Sequence, residues 1–395
     1  MIRAQDAPHL LLVTHWQINM KIFLVVAITA VLSAACAGER SALHGSPKTT
    51  GDRVAVWQLA HMEQFDYVRT FREQTEQSTG WIQAAFYIGL ARWAATTDND
   101  RYLSAMFEAA RENDWQLGPL YWHADDQAIA QVYLFLASKG GNAQTQAVVD
   151  AFDRVLDVPP DDSLEFRDDE TAQSEGTCQK RWCWCDALFM APPAWAMLSN
   201  VTGDPKYREY ALKEYFATKA YLYDEEQHLF YRDSRFFERR TPFGNKVFWS
   251  RGNGWVFAGL PLLLEALPAE HPQYEELLTL YKEMATTFRN IQHPQGYWSS
   301  SLLDVEHDPL PEMSGTAFIT FGLAWGVNRN VISKRLYGDV VERGWRALGD
   351  AVDEQGKLGW VQQVGNAPDE VRATDTQLYG SGALLLAASE MLHWR

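Results

Sequence analysis

From Asp52 to the C-terminus, apolar residues recur three and four positions apart, the period of a helix that buries one face, and strict alternation is rare. The spacing predicts helices near 52–75, 79–96, 99–113, 124–139, 143–156, 184–200, 205–219, 253–266, 272–290, 314–327, 331–350 and 374–392. Turn-forming residues punctuate them at Thr79-Gly80, Gly140-Gly141-Asn142, Gly203-Asp204-Pro205, His271-Pro272 and Gly365-Asn366. Two junctions look alike: Thr97-Asp98-Asn99-Asp100-Arg101-Tyr102 and Thr202-Gly203-Asp204-Pro205-Lys206-Tyr207 share Thr, a basic residue and Tyr in register. Such weak internal similarity suggests stacked helical hairpins. Twelve helices in six hairpins, in a chain the length of one compact domain, fit a closed all-α (α/α)6 barrel better than an open solenoid. Longer non-helical stretches at 157–183, 220–252 and 291–313 are expected to surround a funnel at one end of that barrel.

The first 19 residues show no clean pattern, but from Met20 the chain reads as a bacterial export signal. Lys21 precedes an uncharged run from Ile22 to Ala35, which is too short to span a membrane. Two processing routes compete. Ala35-Cys36-Ala37 satisfies the small-x-small rule for signal cleavage, whereas Leu32-Ser33-Ala34-Ala35-Cys36 resembles a lipoprotein box that would anchor the protein to a membrane through Cys36. The expected organisation is an extension and signal over 1–37, a linker over 38–51 and a single barrel domain over 52–395. Either route implies an exported protein, periplasmic or an outer-membrane lipoprotein of a Gram-negative bacterium.

With 35 basic and 51 acidic residues the formal net charge is −16, which argues against a nucleic-acid partner. The 16 tryptophans lean toward carbohydrate binding, although Trp is also ordinary core filler. Cys178, Cys183 and Cys185 allow one disulfide, with Cys178–Cys183 suitably spaced, and one free thiol. No fourth ligand flanks them, so neither a zinc site nor another cofactor is expected.

Three stretches carry candidate chemistry. The adjacent acids Asp125 and Asp126 begin a predicted helix beside His123, where helix capping is the competing explanation. Asp186 lies among Trp184, Cys185, Leu188 and Phe189, where desolvation would raise its pKa and let it keep a proton near neutrality. It too can serve as a helix cap. In Trp249-Ser250-Arg251-Gly252-Asn253-Gly254-Trp255, the glycines permit a sharp turn and Arg251 offers a two-pronged carboxylate clamp between two possible walls for a sugar ring.

This last stretch resembles the signature of the unsaturated glucuronyl and galacturonyl hydrolases, glycoside hydrolase families 105 and 88, the former more closely. The resemblance runs in order through Trp184–Pro193, Ser314–Ala317, Gly322–Gly326, Leu358–Gln362 and Asp375–Ala383, covering roughly 80–392. It implies the same six-hairpin barrel and an unusual hydrolysis. Polysaccharide lyases leave a C4–C5 double bond in a terminal uronic acid. Enzymes of this kind hydrate that vinyl ether, and the product collapses to release the neighbouring sugar. The resemblance implies Asp186 as the acid and base, with its partner in the Asp125–Asp126 pair; Asp126 is preferred. Arg251, Asn253, Trp249 and Trp255 would shape the substrate site, with His123 a further sugar contact. Where pectin-acting members often carry His after Leu-Phe-Tyr, Leu229-Phe230-Tyr231 is followed here by Arg232. That cation suits a sulfate or a second carboxylate on the substrate, which favours a sulfated algal saccharide such as ulvan; a solvated surface charge there would restore rhamnogalacturonan fragments of pectin as the substrate. A sugar-binding lipoprotein, an ordinary glycosidase and a lyase on the same barrel are the competing readings.

Overall fold

The structure is a computed structural model that describes residues 46–395 apart from 71, 141–143, 159–161 and 168–175. The export signal and Cys36 lie outside the described residues. Residues Pro47–Arg395 form one compact unit, and its helices divide by how they are buried.

Six helices are buried nearly all round: α2 (Trp81–Thr97), α5 (Ala130–Ser138), α8 (Pro192–Thr202), α10 (Ser250–Ala266), α12 (Met313–Asn328) and α14 (Leu378–Met391). Helices apolar on every side must sit inside, whereas a single apolar stripe suits an outer layer. The stripe is seen in α3 (Asp100–Glu112), which buries Tyr102, Met106 and Ala110, and in α6 (Gln146–Asp157), which buries Val148, Phe152 and Val155. The other outer helices are α1 (Pro47–Leu59), α9 (Lys206–Leu222), α11 (Tyr274–Ile291) and α13 (Lys334–Asp350). Packing runs α2–α5–α8–α10–α12–α14 and returns from α14 to α2, so the inner ring is closed. The all-α six-hairpin barrel expected from the spacing is the architecture observed. At the closing seam the backbones nearly touch: a Cβ on Gly89 would lie 2.1 Å from the Gly382 carbonyl oxygen, and one on Gly382 would lie 2.2 Å from that of Ala85.

The repeated junction has a structural counterpart. Asp98 and Gly203 both end inner helices in the left-handed conformation, at φ 50° and 75°. In the outer helix that follows, Tyr102 donates to Asp52 of α1 at 2.8 Å, and Tyr207 donates to Asp153 of α6 at 2.9 Å. Each tyrosine thus ties its outer helix to the preceding one.

Some boundaries differ from the expectation. The helix expected over 52–75 starts at Pro47 and stops at Leu59; the apolar residues beyond it fold back, with the Tyr67 ring 5.0 Å from that of Trp57. The 124–139 helix is split into α4 (Ala124–Gln127) and α5. The 184–200 helix is split into α7 (Ala187–Met190) and α8, because Pro192 and Pro193 lack N–H groups and suit a new helix start. The 220–252 stretch opens with a hairpin of β1 (Tyr223–Asp224) and β2 (Leu229–Phe230). Cys178 and Cys183 form a disulfide with Cα atoms 5.0 Å apart, and Cys185 is a buried free thiol.

Candidate active site

The N-terminal ends of several inner elements converge on one mouth. Trp81 opens α2, Asp125 and Asp126 lie in α4, Asp186 directly precedes α7 without capping it, and Arg251 and Trp255 lie in the first turns of α10. A cavity of about 950 Å³ at this end adjoins an inner pocket of about 70 Å³. Both are walled by Gln74, Trp81, Asp125, Trp184 and Arg232, with the loop at Val364–Gly365. Asp186, Trp249, Arg251 and Trp255 line the inner pocket.

Asp186 is 9% exposed. Burial pushes its carboxyl above the ordinary carboxylate range, and the nearby cations Arg232 and Arg251 pull only partly the other way. Arg232 Nε lies 3.3 Å from Asp186 Oδ2, and the Cys185 thiol donates to the same oxygen at 3.7 Å. Burial pushes the Cys185 thiol well up, so it remains a neutral donor.

Arg232 is set by its surroundings rather than by solvent. Its carbonyl accepts from Cys185 N at 2.8 Å, which ties its backbone to the Asp186 segment. Its guanidinium lies 4.3 Å from the centre of the Trp184 ring and donates from Nη1 to Asp233 Oδ2 at 2.8 Å. The solvated-surface reading of Arg232 is therefore overturned: its side chain is 12% exposed and paired with two carboxylates. Asp233 is wholly buried, yet hydrogen bonds and charges from Arg235 and Arg232 outweigh burial and hold its carboxyl below the usual range.

The two neighbouring acids face different ways. Asp126 Oδ2 accepts from Leu120 N at 3.2 Å and lies 3.2 Å from His123 Nδ1. Its Oδ1 packs so tightly on Gly118 that a Cβ there would lie 1.8 Å away. Asp125 Oδ2 lies 3.8 Å from His123 Nε2, and Asp125 alone of the pair lines the inner pocket with Asp186. His123 is buried between the two acids and stands edge-on to Trp184 at 5.4 Å.

The Trp249–Trp255 stretch departs from its expected use in three respects. Gly252 and Gly254 form no loop turn; they lie in the first two turns of α10, where a Cβ on Gly252 would lie 3.2 Å from Cys185 Sγ and one on Gly254 would lie 3.3 Å from Gly315 Cα. Arg251, 1% exposed, donates from Nη1 to the Gln362 carbonyl at 2.7 Å and from Nη2 to that of Gln363 at 2.9 Å. Stacked between Trp249 and Tyr379, it is a strut for the 362–365 loop and not the open carboxylate clamp the sequence suggests. Asn253 sits behind the pocket, accepting from Phe230 N at 2.7 Å and donating to Phe230 O at 2.9 Å. Its amide thereby fixes β2, and with it the approach to Arg232. Trp249 and Trp255 do form the floor, Trp249 held by a bond from Nε1 to Gln362 Oε1 at 2.8 Å.

Trp81, Trp184, Gln74 and Arg235 also line the site, beyond the site residues expected from the sequence. Trp184 and Trp81 carried a signal, one beside Asp186 and the other directly after Thr79-Gly80. Gln74 lies in the segment read as helix and carried none.

Stacking walls, buried carboxylates and cations at one mouth of an (α/α)6 barrel define an enzyme of the sugar-processing kind. The chain belongs to glycosyl hydrolase family 88, whose family model matches residues 51–394. It is 46% identical to the unsaturated 3S-rhamnoglycuronyl hydrolase of Alteromonas sp. (strain LOR), over 89% of this chain and 87% of that protein. A protein of the same name from Formosa agariphila is 39% identical, over 80% of this chain and 84% of its own length. Among solved structures, a glycosyl hydrolase family 88 protein from Bacteroides vulgatus superposes with a TM-score of 0.73 at 28% identity, covering 88% of this chain and 99% of that one.

Proposed function

We propose that the protein removes a terminal 4,5-unsaturated uronic acid from a sulfated rhamnose in ulvan-type oligosaccharides, downstream of a polysaccharide lyase. Its place in the family makes it an unsaturated uronyl hydrolase; the substrate and the residue roles are the proposal. The names of the two curated relatives support a rhamnose-linked, sulfated substrate. The observation that carries the roles is the burial of Asp186 in the inner pocket, its carboxyl raised and Arg232 at 3.3 Å.

The unsaturated ring enters the inner pocket over Trp249 and Trp255, with its C5 carboxylate toward Arg232. Burial that raises the Asp186 pKa favours its protonated form, the one able to give a proton. Asp186 donates that proton to C4, leaving positive charge shared by C5 and the ring oxygen. The resulting carboxylate then takes a proton from water as the water oxygen bonds to C5. The hemiketal opens to a C5 ketone, and the hemiacetal left at C1 expels the rhamnose hydroxyl. The products are 5-dehydro-4-deoxy-uronate and the shortened saccharide. No covalent sugar–enzyme bond forms, so the carboxylate-separation rule for ordinary glycosidases does not apply. Asp125, lining the same pocket, is assigned to the ring hydroxyls and the attacking water, and Asp126 to holding the 118–123 loop. The signal at Met20–Cys36 and the Cys178–Cys183 disulfide support action outside the cytoplasm.

The test is hydrolysis of the lyase-made disaccharide in heavy water. Mass spectrometry of fresh product should find one solvent deuterium at C4. Product without it would assign cleavage at C1 and overturn the mechanism.

A further inference from the structure

Asp233 holds two arginines that reach different depths of the site. Arg232 lines both the wide cavity and the inner pocket, and it is committed to Asp186. Arg235 lines only the wide cavity, one step outward. It donates from Nε to Asp233 Oδ1 at 2.9 Å and from Nη2 to Asp233 Oδ2 at 2.8 Å. Its guanidinium lies 3.4 Å from the centre of the Phe166 ring, and Phe166 N donates to Ser234 Oγ at 2.9 Å, which locks the ring segment to the arginine's own turn. Arg235 is thus held before any ligand arrives, yet 28% of its side chain stays open, and Nη1 has no hydrogen-bond partner among the described residues. Asp233 accepts from both guanidiniums and fixes the spacing between them.

We propose that Arg235 is the sulfate-recognising residue of the aglycone subsite. A sulfate ester presents a single negative charge over three terminal oxygens, which a planar, pre-aimed guanidinium can meet with more than one N–H. With the uronyl ring against Arg232 and Asp186, the next sugar lies in the wide cavity, where Arg235 faces it. Pre-ordering by Asp233 and Phe166 removes the cost of fixing a long side chain on binding. The inference rests on the sulfated substrate proposed above.

The experiment compares kcat/KM for an unsaturated uronyl-rhamnose 3-sulfate disaccharide with that for its desulfated form, in wild type, Arg235→Ala and Arg235→Lys. The sulfated-to-desulfated ratio should fall roughly ten- to hundredfold in Arg235→Ala, the scale of one charge-assisted contact. Arg235→Lys should recover part of it, because it keeps the charge and loses the fork. A ratio taken on one enzyme preparation cancels any loss of folded protein. If the wild type prefers the sulfated disaccharide and Arg235→Ala keeps that preference, the subsite assignment falls while the substrate stands. If the wild type cleaves the desulfated form at least as well, the proposed substrate is wrong and the subsite falls with it.

Discussion

Replacing Asp186 by Asn should separate activity from stability. The amide keeps the shape of the side chain, and its oxygen can take the place of Oδ2 against Arg232, 3.3 Å away. Arg232 also retains Asp233 at 2.8 Å, so no buried cation is left unpaired. The fold should therefore lose little. Chemistry should suffer far more. An amide neither protonates C4 nor accepts the proton of water, and general acid–base catalysis contributes at least ~10² in rate, or about 2.7 kcal/mol at 1.36 kcal/mol per decade. The pH dependence of stability adds a second readout. Burial raises the folded-state pKa of Asp186 above its unfolded value, so its contribution is fully present below the unfolded pKa and is lost as pH rises through the raised one. Asp186→Asn removes that dependence. The melting temperature of the wild type relative to the variant should thus be most favourable in acid and decline as pH rises above the ordinary carboxylate range. Rates are followed by the loss of ultraviolet absorbance of the C4–C5 double bond, and melting by circular dichroism. A variant with near-wild-type turnover would refute the assignment of the acid. A folded variant whose melting difference grows with pH would refute the burial argument.

The other predictions concern the groups around this acid. Asp125→Asn should lower kcat/KM at least ~10²-fold with a nearly unchanged melting temperature. Asp126→Ala should instead cost stability, ~0.5–1.5 kcal/mol for the lost bond to Leu120 N; chemical denaturation and kinetics on the same samples decide, and the opposite ordering would restore Asp126 as the partner. Arg232→Met removes a cation that favours the Asp186 carboxylate. The alkaline limb of its kcat/KM profile should move to higher pH, whatever happens to the height, and a move to lower pH would contradict the pairing.

The helical period revealed the barrel because six helices are apolar all round and the others carry a stripe, and neither pattern suits a strand. It failed at 60–75, where no Gly or Pro marks the end of α1 and apolar residues at helical spacing pack back onto Trp57 instead of extending the helix. The site was legible as a set of residue types and less so as a set of jobs. A planar fork such as Arg251 declares what it can grip, not that two backbone carbonyls more than a hundred residues later will occupy it. The same holds for Asp125 and Asp126. As chain neighbours they are indistinguishable by composition, and it is the packing of Gly118 and the bond from Leu120 N that hold Asp126 out of the inner pocket, though it still lines the wide cavity.

The ring seam bears on how the molecule comes into being. Its last inner wall, α14, wedges between α12 and α2, and the glycine contact joins the first and last inner helices. During vectorial synthesis no chain that stops short of α14 can complete the core, because the flanks of α2 and α12 that receive it stay bare until it has emerged. Such bare apolar flanks invite association between nascent chains. A stop codon ahead of α14 (Leu378–Met391) would therefore leave an open horseshoe, sticky at both tips, instead of a slightly smaller enzyme. Every catalytic group assigned here is made well before that point, and its geometry waits on a helix that contributes none of the carboxylates.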